Sequence, residues 1–141
     1  MTPRDRTATG RFRILVIANE TAADDTLHEL VVEHIGDMPA EVLVVAPAAP
    51  SRFARIESVE DAEARIAHVV GHLEADGIHA YGWVGHSDPL AAIAGALAVF
   101  EADELIVSTR GSRAHDLAPL ARRRFGLPTT ACVAERELLV A

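Results

Sequence analysis

The segment Arg110-Gly111-Ser112-Arg113 gathers two guanidinium groups, a hydroxyl and a glycine within four residues. Guanidinium forks match the oxygens of phosphate and carboxylate. A helix starting just behind them would add backbone N–H groups that attract anions. The same four residues also read as a polar surface loop with Gly111 in its tight turn. His86-Ser87-Asp88 holds the three residue types of a hydrolase triad. Triad members, however, converge from separate segments along a defined hydrogen-bond chain. Asp88 before Pro89 reads better as a helix cap. His68 and His72 stand four apart, so both could face one metal on a helix, and His28, Glu29, Glu33 and His34 invite the same idea. The plainer reading is a solvent-facing helix surface, and no Glu follows His68 as a zinc-protease motif would need. Cys132, between Ala131 and Val133, reads as a small buried hydrophobe. Arg122-Arg123-Arg124 suits a solvated helix end, where cations are favoured. No nucleophile or acid–base pair stands out, so an enzyme is not expected.

These residues need a frame to hold them. Phe12–Ala18 and Glu41–Ala46 are continuous apolar runs, as expected of strands buried on both faces. Between them, Leu27, Leu30, Val31 and Ile35 recur at helical spacing, with Asp24 or Asp25 as cap and Gly36 as stop. A longer helix is predicted from Ser58 to about Asp76, burying Val59, Ala62, Ile66, Val69, Val70 and Leu73, with Gly77 behind it. Ser58 followed by Asp61 is close to a capping box. Residues 78–84 alternate imperfectly, like an edge strand. A third helix follows Pro89, with Leu90, Ile93, Ala94 and Leu97 as its face. Leu105–Val107 is a fourth strand, a fourth helix is predicted from about Asp116 to Phe125, and Thr129–Val133 is a fifth strand. This alternation implies one α/β domain over residues 11–141, a three-layer sandwich with a mainly parallel sheet, behind a disordered polar tail at 1–10. Ligands on such sheets sit at the carboxyl ends of the strands, where the strand order reverses.

Composition narrows the function. The 141 residues carry 13 basic and 21 acidic side chains, a net charge of −8, so a nucleic-acid backbone would be repelled. Every basic residue is Arg, which excludes a Schiff-base or phosphate-loop lysine within the chain. The single cysteine excludes an internal disulfide and a multi-cysteine zinc site. No apolar run reaches the roughly 18 residues of a membrane helix, and residues 1–13 lack a secretory apolar segment. The expected setting is cytoplasmic, with no membrane partner.

Three stretches resemble the universal stress protein family in order and spacing. Arg13–Thr21 is similar to its opening strand, although Asn19-Glu20-Thr21 stands where Asp-Gly-Ser is usual. Gly85–Ile93 is similar to the segment in which Gly-Asp-Pro opens the third helix, with Ser87 in place of Gly. Ala102–Gly111 is similar to the fourth strand and the start of the phosphate loop. The resemblance covers about residues 12–134. It implies a five-stranded sheet ordered 3-2-1-4-5, a Rossmann-like arrangement of the adenine nucleotide alpha hydrolase type. It also implies a homodimer paired through strand five and the tail Glu135–Ala141, and ATP (with Mg) or AMP as the ligand of many members. It places Asn19 near the base or ribose, where its amide pairs with a purine edge or closes a turn. Val45 and Ala46 then form an apolar wall, and Arg110, Gly111, Ser112 and Arg113 hold phosphate.

The sequence departs from the family's Gly-x2-Gly-x9-Gly-Ser/Thr pattern. Gly111 matches the first glycine, Ala114 replaces the second, and the third glycine with its Ser/Thr is missing at the expected spacing. The connection from Gly111 to Pro128 reads about ten residues short. Loop glycines let backbone N–H groups approach phosphate closely, so a triphosphate would lose much of its cradle. Two expectations follow. One is a non-enzymatic module that binds an adenine nucleotide or a smaller phosphorylated ligand. The alternative is a dimeric, stress-related interaction protein that has lost the nucleotide.

Overall fold

The computed structural model describes residues 11–18, 25–47, 59–86, 88–109 and 113–133. Nine elements alternate along the chain: β1 (Phe12–Ala18), α1 (Asp25–Ile35), β2 (Ala40–Pro47), α2 (Val59–Ala75), β3 (His79–Gly85), α3 (Pro89–Leu97), β4 (Glu104–Thr109), α4 (Arg113–Phe125) and β5 (Thr129–Val133). The strands form one parallel sheet in the order β3-β2-β1-β4-β5. The expected tail at residues 1–10 and the candidate dimer element at 135–141 lie outside the described residues.

The apolar runs do what double-sided burial requires. Ile14 through Ala18 and Val44 through Ala46 have no exposed surface. Alternate residues point to opposite faces. Ile14, Val16, Val42, Val44 and Ile106 meet Leu27 and Val31 of α1 and Val69 and Leu73 of α2. Leu15, Ile17, Leu43, Val45 and Leu105 meet Ala92, Ile93 and Ala96 of α3 and Ala121 of α4. Two helices therefore cover each face.

Local signals set the element ends. Gly77 takes φ +82° and closes α2: its N–H donates to Glu74 O at 2.9 Å, and Ile78 N–H donates to Leu73 O at 3.0 Å. That pair of bonds is a Schellman motif, which needs a left-handed residue at its centre. Gly82 has a different reason. A Cβ there would stand 2.0 Å from Ile66 Cγ2, so its lack of a side chain lets α2 lie against β3. As expected, β3 is an edge strand.

Three expectations need correction. The fourth helix starts at Arg113, not near Asp116, so Arg113 stands inside α4 rather than ahead of it. The buried face of α3 is Ala92, Ile93 and Ala96, while Ala94 is exposed. Asp88 does occupy the N-cap position, in extended backbone, but its side chain makes no capping bond. Its backbone N–H donates instead to His86 Nδ1 at 2.9 Å. Asp24, Ser58 and Ser87 lie outside the described residues.

Candidate functional site

The chain runs outward from β1 to β2 and β3, then returns to the other side of β1 for β4 and β5. Connections leave β1 and β4 in opposite directions, which makes the carboxyl ends of these two strands the switch point where ligands sit in sheets of this kind. The last β1–β4 pair is Ala18 with Ser108, and the last β1–β2 pair is Ile17 with Val45. Beyond β4, residues 110–112 separate Thr109 from the first residue of α4. Over its 13 residues α4 aligns its peptide dipoles, and its first N–H groups have no partner within the helix. A helix start at a strand-order reversal is the usual place for an anion in this architecture.

Val45 and Ala46 are the predicted site residues whose side chains are described. Both are fully buried at the end of β2. Val45 belongs to the core beneath α3, and Gly85 passes so close that a Cβ there would stand 2.8 Å from Val45 Cγ1. Asn19, Arg110, Gly111 and Ser112 lie outside the described residues, as does the side chain of Arg113. The described frame places the positions that follow β1 and β4 at the same end of the sheet.

Two residues at this end were not singled out from sequence. Ser108 is a buried polar residue, 1% exposed, next to last in β4 and paired with Ala18 and Cys132. Arg65, on α2, donates from a terminal guanidinium nitrogen to the carbonyl oxygen of Pro47, the last residue of β2, at 3.1 Å. A buried hydroxyl at a strand end was visible as Ser108 after Leu105-Ile106-Val107. Nothing local distinguishes Arg65 from a solvated helix residue.

Elsewhere the alternative chemistries are placed. His86 accepts the Asp88 N–H and closes a turn, which is not triad geometry. His68 and His72 are ring neighbours at 4.5 Å, and His28 meets His72 edge-on at 5.4 Å. His28 Nε2 stands 2.5 Å from Asp76 Oδ2. Among the described residues, no group of three or more His, Cys, Asp or Glu is arranged to hold a metal ion. Cys132 is buried. An open hollow of about 530 Å³ lies at the amino end of the sheet between Arg11, Pro39, Glu74 and His79, at the opposite end from the switch point. Among the described residues, no helix is long and apolar enough to cross a membrane.

The amino end is a polar network. Glu41 Oε1 accepts from Arg13 Nε at 3.0 Å, Arg11 lies 3.9 Å from Oε2, and the Tyr81 hydroxyl also donates to Oε2. Partial burial works against the Glu41 charge. The bonds from Tyr81 and Arg13 and the charges of Arg13 and Arg11 outweigh it, holding the carboxyl below its ordinary range. The bond to Glu41, then burial, push the Tyr81 hydroxyl up.

The strand order and the helices on both faces define a doubly wound α/β fold with its switch point between β1 and β4. Solved structures of universal stress proteins share it. An Arabidopsis thaliana universal stress protein family protein with AMP bound is 15% identical, with a TM-score of 0.62 over 91% of this chain and 95% of that one. A universal stress protein from Archaeoglobus fulgidus in complex with dAMP is 13% identical, with a TM-score of 0.65 over 87% and 98%. A universal stress protein in complex with cAMP is 18% identical, with a TM-score of 0.55 over 85% and 97%. The chain therefore has the universal stress protein fold. No protein-family model matches the sequence, and no curated protein matches it.

Proposed function

We propose that the chain is a non-enzymatic binding module for an adenine nucleotide or a smaller phosphorylated ligand, held in the crevice beyond β1 and β4. One observation carries this reading: α4 opens three residues past β4, at the switch point, in a fold whose solved relatives hold AMP, dAMP and cAMP. In this reading Asn19 serves the base or ribose, Val45 and Ala46 back the site with apolar packing from beneath, and Arg110, Gly111, Ser112 and Arg113 take phosphate. A monophosphate suits the site better than ATP with Mg. Three residues span about 10 Å when extended, too little chain to wrap a triphosphate.

That same short connection favours a second reading, a homodimer that acts through partner contacts and binds no nucleotide. Pairing would run through β5, whose outer edge is open among the described strands, and through residues 135–141. Calorimetric titration separates the two. AMP is expected to bind at micromolar levels, with ATP plus Mg no tighter. No heat and no thermal shift with either ligand would overturn the first reading. Light scattering that finds a monomer at working concentration would overturn the second.

A further inference from the structure

Arg65 is half-buried, and its Nε–H is shielded from solvent with no hydrogen-bond partner. Its bond to Pro47 O uses one of the five donors of the guanidinium. Among the described residues no carboxylate pairs with it. Leaving a buried donor of a charged group unmatched is costly, and such a group calls for a physical reason.

Its place in the fold supplies one. Arg65 and His72 lie seven residues apart on α2 and share a helix face, and His72 meets His28 of α1. Arg65 therefore sits on the α1 side of α2, toward β1. Long helical side chains lean toward the helix start, and the contact to Pro47 shows that this one reaches the end of β2. Pro47 is two residues beyond Val45, the last partner of β1. Among the arginines with described side chains, Arg11 and Arg13 sit at the amino end of β1, and Arg122, Arg123 and Arg124 in the last turn of α4. Arg65 is the described arginine at the carboxyl end of the sheet.

We propose that Arg65 is an anion-recognition residue of the crevice, its guanidinium held in place by Pro47 O and offering its terminal N–H groups to a phosphate or carboxylate oxygen of the ligand beside the end of β2. Pro47 O fixes the guanidinium plane, and a guanidinium so held presents its terminal donors in the fixed geometry that pairs with oxygens of an anion. This rests on the proposed phosphorylated ligand, and it adds a cation contributed by α2 across the crevice from α4. A strap that merely ties α2 to β2 would need one N–H and no anion.

The test titrates the full chain and Arg65→Gln with AMP, adenosine and inorganic phosphate, with thermal melts alongside. Arg65→Gln is expected to weaken AMP by about tenfold or more and leave adenosine unchanged, as loss of a hydrogen bond to a charged group predicts. Equal AMP affinity in parent and variant overturns the role of Arg65 and leaves the nucleotide reading standing. Phosphate binding that Arg65→Gln abolishes, with AMP no tighter than phosphate, supports Arg65 and overturns the nucleotide reading. A parent that binds neither AMP nor phosphate overturns both. If Arg65→Gln does not fold, the Arg65 Nε–H signal in the parent, assigned by its disappearance in Arg65→Lys, decides. It must shift on adding AMP or phosphate, and a signal that stays in place overturns the proposal.

Discussion

At the amino end of the sheet the charged groups are matched with one another, whereas at the carboxyl end the guanidinium of Arg65 keeps a buried N–H without a partner. Glu41 gathers Arg13, Arg11 and Tyr81. Asp103 and Arg13 exchange two bonds: Arg13 N–H donates to Asp103 Oδ2 at 3.0 Å, and Asp103 N–H donates to Arg13 O at 2.8 Å. His34 Nδ1 stands 2.9 Å from Glu104 Oε1, and Arg122 donates to Thr129 O. These contacts fasten the starts of β1, β2, β4 and β5 to their neighbours. At the other end, β2 finishes at a carbonyl held by Arg65, whose Nε–H is unpaired. Polar groups satisfied by one another stabilise a fold, and polar groups left available favour a ligand. On the reading proposed above, the amino end holds the sheet and the carboxyl end takes the ligand.

Asp103→Ala should break the amino end most. It strips the partner from a backbone N–H at the start of β1 and removes a carboxylate that is 8% exposed. A loss of about 1–3 kcal/mol in urea melts is expected, with AMP affinity unchanged. A matching loss of affinity would erase the division between the ends. The counterpart at the carboxyl end is the double change Arg110→Ala with Arg113→Ala. Stability should stay within about 0.5 kcal/mol while AMP binding is lost. A double variant that binds AMP as the parent does would remove phosphate recognition from the start of α4.

How much of this was legible in the sequence differs element by element. β1 and β2 were plain because a strand covered on both faces needs an unbroken apolar run, and few other structures do. The stop at Gly77 was plain because a left-handed residue was needed there. α4 starts one turn before the sequence pattern suggests: apolar spacing begins only at Leu117, and Asp116 looks like a cap, yet Arg113 and Ala114 are good helix formers. The face of α3 was misjudged because Leu90–Leu97 is almost wholly apolar, so periodicity cannot choose between Ala92, Ala94 and Ala96. Arg65 was illegible for a deeper reason. Its partner carbonyl lies 18 residues away, and only the packing of α2 on β2 brings the two together.

The smallest expected effect tests whether the amino-end network stabilises the fold through charge. Glu41 titrates below its ordinary 4.5 in the folded chain, so its contribution is full above that value and fades as pH falls through the lower, folded one. Glu41→Gln keeps the shape and removes the charge. At neutral pH the variant should be less stable by about 1 kcal/mol, modest because Tyr81 and Arg11 are well exposed. As Glu41 takes up its proton in the parent, the two side chains become alike, and the melting curves of parent and variant should converge in acid. A gap that is constant with pH would mean that Glu41 acts by packing alone. A gap that widens in acid would reverse the sign, and the network would then be held by its uncharged form.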